Sequence, residues 1–221
     1  MNLIKVCAAR LPSSWQFELK RIHYARQIKK GAFDTSEPEF KILQKFIKPG
    51  DWVIDIGANI GNYTLKFSEL SGKNGRVFAF EPVPSTFTLL ASNMRYSKYE
   101  NITLINAAVS DSMKTVGMSM PSFETGLLNF CRAKLTIKHD CDLSVITLQV
   151  DSFKFEKKIT LVKIDVEDHE AYVINGMRKL IQENLPVIII ETSSESVIQE
   201  LKSFGYKTEN LKDSPNIIFT P

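Results

Sequence analysis

The chain has 221 residues, 43% of them hydrophobic and 24% charged, with a formal net charge of +3. That balance excludes collagen-like, low-complexity and disordered chains, and at this size roughly 70% of the unfolded surface can be buried, enough for one core without metals or disulfides. No run approaches the roughly 18 apolar residues of a membrane-spanning helix, and so small a net charge does not by itself point to nucleic acid.

The first 50 residues hold ten Lys/Arg against four Asp/Glu, so a basic segment precedes a slightly acidic body. Such a segment meets phosphates, an anionic glycan or solvent. Met1 to Ser14 carries Lys5 and Arg10 but no continuous apolar stretch, which argues against a signal peptide and for a cytoplasmic protein. A helix is predicted over Trp15 to Lys30 and another from Glu37-Pro38; residues 1–48 read as a helical extension of one domain spanning 1–221. Cys7, Cys131 and Cys141 lack CxxC or metal-ligand spacing and read as reduced thiols.

From residue 50 short apolar runs alternate with helical periodicity. Strands are predicted at 52–56, 77–80, 102–105, 161–166 and 187–190, nearly continuous in apolar character like central parallel strands covered on both faces. Val173, Ile174, Met177, Leu180 and Ile181 predict a helix over 171–185, and Val197, Ile198, Leu201 and Phe204 another. Residues 112–158 interrupt the rhythm and read as an insertion at the rim, with an extra strand at 145–150; residues 206–211 and 216–220 predict a C-terminal antiparallel hairpin. The pattern predicts an α/β fold with a Rossmann-like, doubly wound, mostly parallel sheet.

In such a sheet ligands bind beyond the carboxyl ends of the strands. The first strand runs into Asp55-Ile56-Gly57-Ala58-Asn59-Ile60-Gly61-Asn62 and then a helix, a turn whose glycines admit a close ligand and whose helix N-terminus favours electron-rich groups. Its G-x-x-x-G spacing departs from the dinucleotide G-x-G-x-x-G. The second strand ends in Glu81-Pro82, and an acid there can accept both hydroxyls of a ribose. Together these features point to an adenosyl ligand. The fourth strand ends in Lys163-Ile164-Asp165-Val166-Glu167-Asp168-His169-Glu170, more carboxylates than helix capping needs unless a cation or substrate relieves their repulsion. The fifth ends in Glu191.

These segments, in this order, resemble the FkbM family of methyltransferases over roughly residues 48–192. The resemblance implies a class I methyltransferase fold, S-adenosylmethionine as cofactor, and O-methylation of a sugar, glycan or related natural product. It departs from the family at Asp168, where Asp-Val-Glu-Gly-x-Glu has glycine, and at Gln149, where Asp commonly follows Thr-Leu; Asp151 is the candidate replacement.

On that resemblance Asp55, Gly57, Asn59 and Gly61 are assigned to the methionine side of the cofactor and Glu81 to the ribose, with Asn62, Pro82 and Asp165 as further cofactor contacts. Asn106 to Val109, including Ala108, are assigned to the adenine. His169 is the candidate general base: a helix N-terminus lowers the imidazole pKa and neighbouring carboxylates raise it. Asp165, Glu167 and Lys163 complete the catalytic set, and Asp165, Glu191 and Glu167 are candidate oxygen ligands for Mg or Mn. The 112–158 insertion is expected to shape the acceptor pocket. The alternatives are an RNA ribose 2′-O-methyltransferase, which would lose binding steeply with salt, and an adenosyl-binding module without turnover.

Overall fold

A computed structural model describes residues 11–119, 134–136, 141 and 143–221. In chain order its strands are β1 (Trp52–Ile56), β2 (Arg76–Phe80), β3 (Ile102–Ile105), β4 (Ala108–Val109), β5 (Lys114–Ser119), β6 (Lys134–Thr136), β7 (Leu143–Leu148), β8 (Ile159–Ile164), β9 (Val187–Glu191), β10 (Lys207–Asn210) and β11 (Asn216–Thr220). Its helices are α1 (Ser13–Lys29), α2 (Asn62–Ser71), α3 (Pro84–Met94), α4 (Glu170–Asn175), α5 (Arg178–Asn184) and α6 (Glu195–Ser203).

Seven strands form the main sheet in the order β10-β11-β9-β8-β1-β2-β3, parallel except for β11, which runs antiparallel to both β9 and β10. The alternation of side chains along a strand explains its two covered faces. Ile54, Ile56, Val162, Ile164, Ile188 and Ile190 point into one core with Val173, Ile181, Val197 and Leu201. Val53, Leu161 and Ile189 point into the other with Phe40, Leu43, Tyr63 and Phe67. From β1 the chain winds outward through β2 and β3, then returns to β8 on the other side of β1. The carboxyl ends of β1 and β8 therefore flank the switch-point crevice.

Three expectations are corrected. The helix predicted over 171–185 is two helices, broken at Gly176-Met177. A Cβ on Gly176 would stand 1.9 Å from the Ser110 carbonyl oxygen, so the chain is pinned there against a distant backbone. Asp151 then caps the second piece, accepting from the Lys179 and Leu180 N–H groups at 2.9 Å each. The segment after Pro38 is a 3-10 helix, Glu39–Lys45. The strand predicted at 145–150 is β7 and stops at Leu148, with Val150–Ser152 a 3-10 turn.

Most of the insertion's described part is a second sheet, β4-β7-β5-β6. Cys141 is a free cysteine; Cys7, Cys131, Lys5 and Arg10 lie outside the described residues. No described helix is long and apolar enough to cross a membrane.

Candidate active site

An open cavity lies at the carboxyl ends of β1, β2 and β8. Gly57, Asn59, Glu81, Pro82, Ala108, Asp165, Glu167 and His169 all line it, so the fold brings together predicted residues from four separate segments. Ala107, Val109 and Val83 add apolar wall, and Met118 and Leu135 reach in from the small sheet.

The turn after β1 is built to pass close to its neighbours. Gly57 has φ 81°, and a Cβ there would lie 1.8 Å from the Asp165 carbonyl oxygen. Asn59, at φ 50°, directs its N–H to Glu81 Oε2 at 2.9 Å, and the Val83 N–H reaches Oε1 at 2.9 Å. Each carboxylate oxygen thus has one backbone donor and retains a lone pair for a further one. Burial raises the Glu81 pKa to about 7 against the lowering effect of those two N–H groups. Asp55, fully buried, accepts from the Thr64 hydroxyl at 2.5 Å through Oδ2, while Oδ1 has no hydrogen-bond partner among the described residues. Burial also pushes its pKa up, opposed by Lys163.

Other predicted contacts belong to the frame around the cavity. Asn62 donates to the Phe33 carbonyl at 2.6 Å, and Asn106 to the carbonyls of Glu81 and Pro82 at 2.8 and 3.1 Å. Gly61 serves packing, since a Cβ there would meet Met94 and Leu90 at 2.4 and 2.6 Å. Asp55, Gly61, Asn62, Asn106 and Lys163 are not among the cavity's lining residues.

The turn after β8 places Glu167 and Asp168 at φ 48° and 68°, both left-handed. Asp168 is exposed and pairs with Lys134. His169 Nε2 lies 3.0 Å from Ser110 Oγ, and its ring stacks on Tyr172 with centroids 4.5 Å apart. Its pKa is lowered, chiefly by burial, with Asp111 opposing. The competition between helix dipole and carboxylates foreseen from sequence is therefore decided by desolvation. Ser110 had no signal in the sequence, being an isolated serine brought 59 positions along the chain to the imidazole by the small sheet.

Lys163 is buried, with Nζ 3.0 Å from Asp165 Oδ2 and 4.6 Å from the Tyr63 ring centroid. Burial alone would lower its pKa, but Asp165 and Asp55 outweigh it and the net shift is upward. That direction favours the charged ammonium beside Asp165. Tyr63 in turn donates to Glu37 at 2.5 Å.

Glu191, its pKa raised by burial and then by Asp165 and Glu167, opens onto a second cavity of about 1020 Å³. This space adjoins the first through Asp165 and Glu167 and is walled also by Thr192, Ser193 and Ser194. The expected Mg or Mn site is not assembled on Asp165, Glu167 and Glu191. Among the described residues no three His, Cys, Asp or Glu side chains are grouped to hold a metal, and the Lys163 ammonium already balances part of the charge. Asp151, the candidate replacement for the carboxylate absent at Gln149, caps α5.

The Methyltransferase FkbM domain model matches residues 55–208. The 31-O-demethyl-FK506 methyltransferase FkbM of Streptomyces tacrolimicus is 29% identical over 59% of this chain and 61% of its own length. The hexuronic acid methyltransferase AglP of Haloferax volcanii is 25% identical over 68% of this chain and 59% of its own. The chain thus spans about three-fifths of the length of these two relatives. Among solved structures, methyltransferase FkbM from Methylobacillus flagellatus superposes with a TM-score of 0.55 at 16% identity, over 84% of this chain and 51% of that one. That likeness is one of fold, the class I Rossmann-like methyltransferase fold.

Proposed function

Because the chain belongs to the FkbM methyltransferase family, we propose that it is an S-adenosylmethionine-dependent O-methyltransferase acting on a hydroxyl of a sugar or related natural product. The observation that carries this reading is a single cavity onto which both a buried, strand-end carboxylate, Glu81, and an imidazole of lowered pKa, His169, open. Glu81 would accept the ribose hydroxyls, Gly57 and Asn59 would face the methionine side, and Ala107 to Val109 the adenine. When bound, S-adenosylmethionine supplies an electrophilic methyl group on a sulfonium.

The chain's own part is to orient the acceptor and take its proton. In the tautomer in which Nε2–H donates to Ser110 Oγ, Nδ1 of His169 is the basic atom, and stacking on Tyr172 fixes the ring plane. The acceptor would approach through the adjoining polar cavity, where Thr192, Ser193 and Ser194 offer hydroxyls to a polyhydroxylated substrate. The acceptors named for the two relatives, a demethylated natural product and a hexuronic acid, support this class.

The test is transfer of a labelled methyl group to a panel of saccharides, with His169→Gln as the diagnostic variant. Turnover should fall about 10²- to 10⁴-fold, while calorimetry shows adenosylhomocysteine binding unchanged. Wild-type turnover in that variant removes His169 as base. Absence of adenosylhomocysteine binding by the folded native protein removes the whole reading.

A further inference from the structure

Helix α1 has apolar side chains on two opposite faces. At 100° per residue Phe17, Tyr24 and Ile28 share one side. They are half-buried, α1 packs on α3, and Tyr24 meets Phe33 edge-on with centroids 5.9 Å apart. Trp15, Leu19 and Ile22, spaced by four and three, share the other, with Leu11 just ahead of the helix. These four are 65%, 48%, 40% and 37% exposed. A helix apolar on both sides is built to lie between two partners, and α3 is one of them. Single exposed apolar residues need no explanation, but four in one stripe do.

The charge on the same helix says what the other partner is. Arg26 continues the stripe one turn beyond Ile22, followed by Lys29 in the last turn and Lys30 at the C-cap. Glu18, the helix's single acid, pairs with Arg21 at 2.8 Å. The outer face is therefore apolar in its first half and cationic in its second.

We propose that α1 seats the protein on an anionic phospholipid bilayer. Trp15, Leu19 and Ile22 enter the boundary between headgroups and acyl chains, and Arg26 and Lys30 face lipid phosphates, while Lys29 leans over the Tyr96 ring at 5.4 Å. A second copy of the chain fits less well: a single row of three helical side chains falls short of the roughly 800 Å² that a stable dimer needs from each partner. RNA fits less well too, because Leu19 and Ile22 offer it neither charge nor a stacking surface.

Flotation of the full chain with vesicles of phosphatidylcholine, with and without phosphatidylglycerol, tests this. The native protein should float with the phosphatidylglycerol vesicles and stay behind with phosphatidylcholine alone. The triple variant Trp15→Ser, Leu19→Ser, Ile22→Ser should lower partitioning about tenfold or more, and Arg26→Glu with Lys30→Glu by a similar factor. Thermal melting confirms that each variant is folded; Trp15→Ser alone serves if the triple variant is not. The proposal is overturned if the folded native protein ignores anionic vesicles, if either variant binds them as well as the native chain, or if the stripe proves to be covered by a dimer contact that Trp15→Ser breaks.

Discussion

Two neighbouring turns, at the carboxyl ends of β1 and β8, solve the same backbone problem with opposite chemistry. The turn after β1 enters left-handed conformation at Gly57, Asn59 and Gly61; that after β8 does so at Glu167 and Asp168, with no glycine at all. At Gly57 the reason is contact, since a side chain there would collide with the Asp165 backbone. The second turn keeps charged side chains in a conformation that costs a non-glycine residue roughly 1–3 kcal/mol, at the position where the family pattern has glycine. The first turn is shaped by what must come near its backbone; the second by what its side chains present to the two cavities.

The comparison can be broken most violently at Gly57. Gly57→Ala should cost about 3–5 kcal/mol, read as a collapse of the denaturant midpoint or loss of soluble protein, because the β1–β8 junction cannot open. A midpoint within error of the native one would mean that the close approach is not fixed.

A smaller effect separates the turns by pH. Glu81, anchored by the first turn, has its pKa raised to about 7 in the free protein. Ribose hydroxyls need its charged form, so affinity for adenosylhomocysteine should be level above pH 7. Below that it should weaken toward about tenfold per unit as the carboxyl protonates. Glu81→Gln should bind weakly and without that pH dependence; a native affinity flat from pH 8 to pH 6 would contradict the assignment. The smallest effect belongs to Asp168→Gly. It relieves the left-handed strain at the cost of the exposed pair with Lys134, and should raise stability by about 0.5 kcal/mol. Adenosylhomocysteine binding should not change, since Asp168 lines only the second cavity.

Much of this frame was legible in the chain. The five parallel strands were found from apolar runs, because strands covered on both faces leave no polar alternation to confuse the reading. The Gly turn and Glu81 were legible from order and spacing, which the βα unit fixes locally. The break at Gly176 was not, because it depends on Ser110, 66 positions earlier, lying against it. Asn62 and Asn106 read as cofactor contacts, and the structure adds that their amide nitrogens hold backbone carbonyls. An asparagine beside a ligand turn looks the same in sequence whichever way its side chain is turned.

By itself the sequence determined the sheet, its doubly wound order and the strand ends at which chemistry would gather, since periodicity and glycine placement act over a few residues. Only the tertiary structure decided the charge state of the site. It buried Lys163 between Asp165 and Tyr63, lowered the His169 pKa by desolvation, and among the described residues grouped no three acids for a metal. Burial and long-range pairing set a pKa, and neither is a property of neighbours in the chain.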